Sequence, residues 1–106
     1  MTRIPTVSRA AVKGRAHGRC ERCGSPTTSG EWHHRRSRSV VDEHQHCPCN
    51  GAWLCSTCHR WVHANPVAAR NSGFIVSRHI DEPGIVLTHT PWGARWNTCT
   101  GGVQYL

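Results

Sequence analysis

The chain has 106 residues, and only 37% of them are apolar. This length fits one domain, and so small a core often needs a disulfide or a metal ion for stability. No segment approaches the roughly 18 apolar residues of a membrane span, which excludes a transmembrane helix. The formal net charge of +7 suits a polyanionic partner such as nucleic acid, although a solvated basic surface would have the same charge.

The N-terminal third of the chain contains one predicted helix and one predicted strand. Residues Thr6 to Ala16 have apolar side chains along one face of a helix. A Cys-x-x-Cys-Gly turn follows at residues 20–24, and its glycine permits the tight backbone turn of a zinc knuckle. Glu31 to His34 is predicted as a short strand, and residues 35–48 as an irregular charged loop.

The middle of the chain predicts a second strand over Asn50 to Cys55 and a helix over Thr57 to Ala64. Asn65-Pro66 is typical of a helix start, so a second short helix should run from there to about Asn71 and stop at Gly73. The whole chain, residues 1–106, is therefore interpreted as a single α+β domain.

The last third predicts a short β region over about residues 74–106. Strands are expected at Phe74 to Arg78, Ile85 to Thr88 and Arg95 to Thr98, with Pro-Gly and Pro-Trp-Gly turns between them. Among the tryptophans, Trp92 follows a turn proline and is the candidate for base stacking. Three others are expected in the core: Trp53, Trp61 and Trp96.

Four of the seven cysteines form two Cys-x-x-Cys pairs: Cys20, Cys23, Cys55 and Cys58. An odd number of cysteines excludes complete disulfide pairing, and Thr2 to Ala16 is polar and basic rather than a signal peptide. Paired Cys-x-x-Cys motifs in that context favour metal, so we expect a soluble cytoplasmic protein with a closed, structural Zn²⁺ site. The alternative of two redox pairs would usually require a thioredoxin-like setting that the chain lacks.

The other three cysteines are harder to assign. Cys47 or Cys49 could replace one of the four zinc ligands, or the two could take part in a second cluster. We expect both to be spare, because Pro48 between them hinders one metal ion from binding both. Cys99 has no neighbouring partner and is predicted to be a small, partly buried hydrophobic residue.

A second set of residues has the chemistry of phosphodiester hydrolysis, which needs an activated water and a cation at the phosphate. His33 and His34 are adjacent on a strand and point to opposite sides, so local bending is needed for both to reach one substrate. One can bind a metal ion while the other serves as general base near neutral pH. His59 and His63 are four residues apart and share one face of the predicted helix.

These motifs together resemble the HNH endonuclease family. Residues 19–66 follow the family pattern: a Cys-x-x-Cys-Gly knuckle, His-His-Arg, an Asn, then Leu-Cys-x-x-Cys-His and a histidine four residues later. The resemblance implies a ββα-metal (His-Me) finger as the core of a small zinc-stapled domain. The preceding helix and the Trp-Val-His-Ala-Asn-Pro run are similar to small phage-type members in particular.

The resemblance also implies a role for each residue of the set. His34 would be the general base, and Asn50 would bond to backbone across the loop and orient His34. His33 would be the first ligand of a catalytic metal and His59 the second, while His63 would be a third ligand or a phosphate contact. The metal would be Mg²⁺ or another divalent ion, with histidine ligands favouring Mn²⁺, Ni²⁺ or Zn²⁺.

The implied activity is the nicking or double-strand cleavage of DNA, leaving 3′-hydroxyl and 5′-phosphate ends. A phage-encoded enzyme acting in the bacterial cytoplasm is expected, with phage terminase or other packaging proteins as partners by analogy. Three arginines beside His34 are predicted to contact DNA phosphates: Arg35, Arg36 and Arg38. The loop departs from the family, because it lacks a Gly-Gly turn and has cysteines directly before Asn50.

Two other interpretations stay open at the level of sequence. A non-catalytic zinc-ribbon DNA-binding module would need neither His34 nor Asn50, and a structural scaffold would bind DNA weakly. His59 could also be a spare zinc ligand, because it directly follows Cys58. Four further histidines are expected to be structural or exposed to solvent: His44, His46, His79 and His89.

Overall fold

A computed structural model describes residues 3–106; Met1 and Thr2, which begin the polar N-terminal stretch, lie outside the described residues. The fold is a small α+β arrangement of three helices and two antiparallel sheets, and the α+β prediction is confirmed. The helices are α1 Thr6–Arg15, α2 Ser56–Ala64 and α3 Pro66–Asn71. The strands are β1 Glu31–His34, β2 Gly51–Leu54, β3 Thr88–Thr90, β4 Gly93–Asn97 and β5 Val103–Tyr105. Within residues 3–106, no helix has both the length and the apolarity needed to cross a membrane.

Strands β1 and β2 form a two-stranded antiparallel sheet in which Trp32 lies opposite Trp53. Both indole rings are buried and pack with Val12 of helix α1 and with Ala16, which directly follows the helix. Gly51 lets the Trp32 ring lie directly on the strand, since a Cβ there would be 2.5 Å from that ring. Strands β1 and β2 therefore pack together under α1, and the predicted order of strand, loop, strand and helix is present as β1, loop, β2 and α2.

Helix α2 follows β2 directly and packs against a second apolar cluster. The sulfur of Cys55, the residue before the helix, accepts a hydrogen bond from the backbone N–H of Cys58. The helix ends at Ala64; Asn65 follows it, and Pro66 starts α3 as predicted. Gly73 has a φ of +83°, which ends α3 in the conformation that glycine adopts most readily. The residues of this second cluster are Cys20, Ala52, Leu54, Cys58, Val62, Ala69 and Phe74.

The C-terminal region differs from the prediction at several points. Residues 74–78 do not form a strand; they make one isolated bridge, in which the N–H of Val76 donates to the carbonyl of Arg35. Residues 83–85 form a 3₁₀ turn, so the strand expected at 85–88 begins only at Thr88. Strand β5 was missed because a run of three residues is too short to be distinguished from a loop. The predictions for this region relied on short apolar runs, which are poor guides to backbone pairing.

The three-stranded sheet has the order β3-β4-β5 and is attached to the rest of the fold by a buried charge network. Glu21, which is 1% exposed, forms salt bridges with Arg15 of α1 and Arg95 of β4. Glu21 also accepts a hydrogen bond from the backbone N–H of Trp53. One carboxylate thus links α1, β2 and the C-terminal sheet.

Candidate metal centres and cleft

Both Cys-x-x-Cys pairs converge on one point between the first knuckle and the start of α2. The four sulfurs lie within 4.8 Å of one another, and those of Cys23 and Cys55 are 4.0 Å apart. Two sulfurs bound at about 2.3 Å to one tetrahedral zinc ion lie about 3.8 Å apart, so the cluster could hold zinc. The knuckle turns where the N–H of Gly24 donates to the carbonyl of Cys20, with Gly24 at a φ of +78°.

The surroundings of this Cys₄ cluster act differently on its thiols: burial is the main cause that raises the pKa of Cys20 and that of Cys58, the latter to about 12. A hydrogen bond from Ser25 is the main cause that lowers the pKa of Cys23 to about 6. Arg22 donates to the sulfur of Cys58 at 3.4 Å and stacks its guanidinium over the Trp61 ring at 3.4 Å. Because four thiolates and one Zn²⁺ carry a net charge of −2, a cation here offsets the excess. Trp61 is half-buried rather than fully in the core, and it forms the platform for this arginine.

A second group of ligands forms where β1 meets α2. His33, His59 and His63 each bring one ring nitrogen within 4.8 Å of the other two. The ring centroids form a near-equilateral triangle, with separations of 5.1 Å from His33 to His59, 5.6 Å from His33 to His63 and 5.0 Å from His59 to His63. The spacing of four residues places His59 and His63 on one face of α2, and β1 presents His33 to that face. This His₃ cluster could hold a divalent metal ion.

In two of these histidines, one ring nitrogen contacts a neighbouring oxygen atom and the other is left for a metal ion. The Nε2 of His33 is 2.6 Å from the Phe74 carbonyl, which can only accept, so Nε2 carries the hydrogen and Nδ1 keeps its lone pair. The Nδ1 of His59 lies 3.4 Å from a carboxylate oxygen of Glu31, leaving Nε2 for a ligand. Carbonyl or carboxylate partners of this kind orient metal-binding histidines. Burial lowers the pKa of His33 to about 4, so the ring is neutral at pH 7, as metal binding requires.

His34 follows His33 on β1 and has a different partner. Its Nε2 lies 3.1 Å from the Nδ1 of His46, a residue that the sequence placed among structural or exposed histidines. Burial is the main cause that lowers the pKa of His34 to about 4, and the neighbouring His46 and Arg38 lower it further, so the ring is neutral and able to accept a proton at pH 7. When the Nε2–H of His34 donates to the Nδ1 of His46, the Nδ1 of His34 keeps its lone pair and can accept a proton. His33 and His34 line the same cleft although they are adjacent on a strand.

Asn50 is fully buried and bridges the two sides of the loop between β1 and β2. Its Oδ1 accepts from the backbone N–H of Arg36 at 2.8 Å, and its Nδ2 donates to the carbonyl of Gln45 at 3.0 Å. Residue 36 is two positions after His34, and residue 45 directly precedes His46. The amide therefore fixes the backbone on both sides of the His34–His46 pair.

The histidines open onto a cleft of about 780 Å³ between β1, α2 and residues 75–79. Arg38 lines this cleft beside His34, where the sequence predicted a phosphate contact. Two further exposed arginines line it from α3 and the segment that follows: Arg70 and Arg78. Sequence reasoning missed both, since each lies more than 30 positions from His34 along the chain.

The prediction that Arg35 and Arg36 contact DNA phosphates is wrong. Both side chains are 1% exposed. The guanidinium of Arg35 donates to the carbonyls of four residues: Gly73, Cys49, Pro83 and Val86. Arg36 donates to the carbonyls of Ile80 and Asp81 and pairs with the Asp42 carboxylate. Both arginines are interior cross-links between the loop and the C-terminal region, and phosphate cannot reach them.

The structure brings Cys47 and Cys49, which were expected to be spare, next to Cys99, which is exposed rather than partly buried as predicted. They converge with His44 in a third cluster whose ligand atoms lie within 4.8 Å of one another. Pro48 begins a 3₁₀ turn over Pro48–Asn50, and that turn brings the sulfurs on either side of it together instead of keeping them apart. The hydrogen bond with Cys49 is the main cause that lowers the pKa of Cys47 to about 5. This Cys₃His cluster could also hold a metal ion such as zinc.

The chain gives no match in comparisons with protein-family models, curated proteins and solved structures. A function can therefore be inferred only from the geometry of the three clusters and the cleft.

Proposed function

We propose that the chain is a metal-dependent HNH endonuclease that hydrolyses DNA phosphodiester bonds. The observation that carries the proposal is the placement of His33, His59 and His63 around one point at the floor of a cleft lined by His34 and arginines. The order β1, loop, β2, α2 supports the proposal, because a ββα-metal finger would have the same order. A zinc-stapled binding module has no need for three converging imidazoles beside an unprotonated histidine.

The residues present fit a catalytic metal ion. The three imidazoles would hold it, with His33 and His59 oriented from behind by Phe74 and Glu31. Such an ion supplies positive charge to a phosphate oxygen and to the leaving 3′ oxygen. Three protein ligands leave positions for substrate, which distinguishes an open site from a closed structural one.

His34 would act as the general base. A water molecule that loses a proton to Nδ1 of His34 attacks phosphorus, and the bond from phosphorus to the 3′ oxygen breaks. The products are a 5′-phosphate and a 3′-hydroxyl, with the leaving oxygen taking a proton from solvent. His46 and Asn50 would be positioning residues: His46 accepts from His34, and Asn50 holds the loop that carries His46.

Arginines at the rim of the cleft would bind the DNA backbone. Arg70 and Arg78 would take the role that the sequence gave to Arg35 and Arg36, and Arg38 would have the role predicted for it, since all three line the cleft. Because these are exposed charges, they would favour binding to any DNA rather than to one sequence. The phage origin and the packaging role that the resemblance implies belong to this proposal as expectations.

Relaxation of supercoiled plasmid in Mg²⁺, Mn²⁺ or Ni²⁺ tests the proposal. We expect cleavage by the wild-type chain and none by His34→Ala, with the fold and the metal content of the cysteine clusters intact. His89→Ala is the matched control, because His89 is exposed on β3 and lies outside all three clusters. Equal cleavage by wild type and His34→Ala would refute the proposal. Binding without any cleavage by the wild type would favour the zinc-ribbon module instead.

A further inference from the structure

The residues of the Cys₃His cluster do not line the cleft, and they have no part in the chemistry above. We propose that His44, Cys47, Cys49 and Cys99 hold a second structural zinc ion, which ties the β1–β2 loop to the C-terminal sheet. All seven cysteines are then accounted for, four in the first cluster and three in the second. The fourth ligand of the second site is an imidazole, which explains why an odd number of cysteines is compatible with two closed sites.

The geometry suits tetrahedral zinc. The Nδ1 of His44 lies 3.8 Å from the sulfur of Cys49 and 3.8 Å from that of Cys99. A sulfur and a nitrogen bound to one tetrahedral zinc ion are about 3.6 Å apart, so little movement is needed to close the site. Three thiolates and one imidazole are soft and borderline ligands that select zinc over Mg²⁺ or Ca²⁺.

The surroundings of His44 also fit a metal ligand. Nδ1 faces the sulfurs, and the other ring nitrogen, Nε2, lies 3.8 Å from a carboxylate oxygen of Glu43. A carboxylate behind a histidine is a common second partner in zinc sites. Cys49 is buried while Cys99 is exposed, so the site lies at the edge of the fold, where an ion can enter.

The position of the cluster gives the ion a further consequence, which rests on the proposed function. Cys49 directly precedes Asn50, and His44 directly precedes Gln45, whose carbonyl accepts from Asn50. Two zinc ligands therefore flank the amide that holds the loop bearing His46. Cys99 lies just beyond β4, so the same ion would anchor that loop to the C-terminal sheet. A zinc ion here would be a positioning element for the catalytic loop.

Zinc content measured by elemental analysis tests the site without any assay of activity. The double variant Cys47→Ser/Cys99→Ser leaves two ligands, and we expect it to contain one zinc ion per chain fewer than the wild type after dialysis against a mild chelator. The same comparison covers His44→Ala, which should lose the ion, and His44→Cys, which should retain it as a Cys₄ site. His89→Ala is the matched control and should keep the full zinc content.

Zinc content equal to wild type in both the double variant and His44→Ala would overturn the proposal. If the double variant does not fold, the two His44 substitutions decide. Wild-type zinc content in His44→Cys with one ion fewer in His44→Ala supports the site. Wild-type zinc content in both variants refutes it. Cleavage is a separate readout, and we expect the folded double variant to cleave plasmid about 10–100-fold more slowly. Loss of zinc is expected even if the chain cleaves no DNA, so the two proposals can fail independently.

Discussion

Cys58 and His59 are neighbours on α2, yet they belong to two clusters with opposite properties. Cys58 is buried, and its cluster surrounds one point with four sulfurs from the knuckle and the helix start. His59 is half-buried, and its cluster supplies three imidazoles on the floor of a cleft. A site with four protein ligands is closed and can only hold the chain together, whereas a site with three keeps room for substrate. A single residue step along the helix thus separates the part of the molecule that maintains the fold from the part that we propose acts on DNA.

Substitution at these two neighbours should separate the two roles, and it has the largest expected effect. In Cys58→Ser the zinc ion loses a buried ligand, and structural zinc contributes roughly 10–16 kcal/mol to folding in small zinc domains. That range matches or exceeds the typical net stability of a domain, about 5–15 kcal/mol, so we expect an unfolded or aggregated chain. Circular dichroism melting and zinc content measure the change.

The control for this pair is His59→Ala. We expect it to melt within about 1 kcal/mol of wild type, because His59 contributes a partly exposed contact with Glu31 and no core packing. It should abolish plasmid cleavage all the same. If Cys58→Ser melted like wild type, or if His59→Ala unfolded, the distinction between closed and open clusters would be lost.

A smaller effect is expected at Glu21, which stabilises the interior by charge instead of metal. Glu21→Gln removes the negative charge that Arg15 and Arg95 share, and it leaves two buried guanidinium groups without a counter-ion. Breaking a buried ion pair by removing one partner typically costs about 3–5 kcal/mol. Urea unfolding of the zinc-loaded chain measures the loss.

The matched control is Asp81→Asn, at an exposed acidic residue that contributes only its backbone carbonyl to Arg36. This variant should unfold within about 0.5 kcal/mol of wild type. Equal stability of Glu21→Gln and Asp81→Asn would show that the C-terminal sheet is held by other contacts. Zinc content should stay unchanged in both, which separates this network from the neighbouring Cys₄ cluster.

The sequence predicted those features that depend on short spacings. The two Cys-x-x-Cys pairs, the i and i+4 histidines of α2 and the order of strand, loop, strand and helix are all set by local geometry, and the structure has each of them. Gly24 and Asn65-Pro66 likewise mark a turn and a helix start wherever they occur. These motifs need no knowledge of what packs against them.

The features that the sequence did not predict all depend on distant partners. Arg35 and Arg36 look like part of a basic run, and only the carbonyls of residues 49, 73 and 80–86 make them interior residues. Cys99 looks solitary because the other members of its cluster are 50 or more positions away. His46 has no motif, and its contact with His34 arises from the path of the loop. Burial of a charged or metal-binding side chain is a property of the assembled fold.

The buried arginines also change how the net charge is distributed. Four arginines are buried among carbonyls and carboxylates, so the positive charge available to DNA lies on exposed residues such as those lining the cleft; the buried four are Arg15, Arg35, Arg36 and Arg95. Arg78 is exposed on the rim of the cleft and should contact a backbone phosphate. Arg78→Ala should therefore weaken binding to all DNA sequences alike, and it has the smallest expected effect.

Salt dependence measures that effect most directly, because each phosphate contact releases counter-ions. In a His34→Ala background, which prevents cleavage, we expect Arg78→Ala to reduce the slope of log affinity against log salt by about 1. Lys13→Ala is the matched control: Lys13 is exposed on α1, outside the cleft, and its loss should leave the slope nearly unchanged. Equal slopes for the two variants would mean that DNA does not follow the cleft, and the open histidine cluster would then need a different substrate.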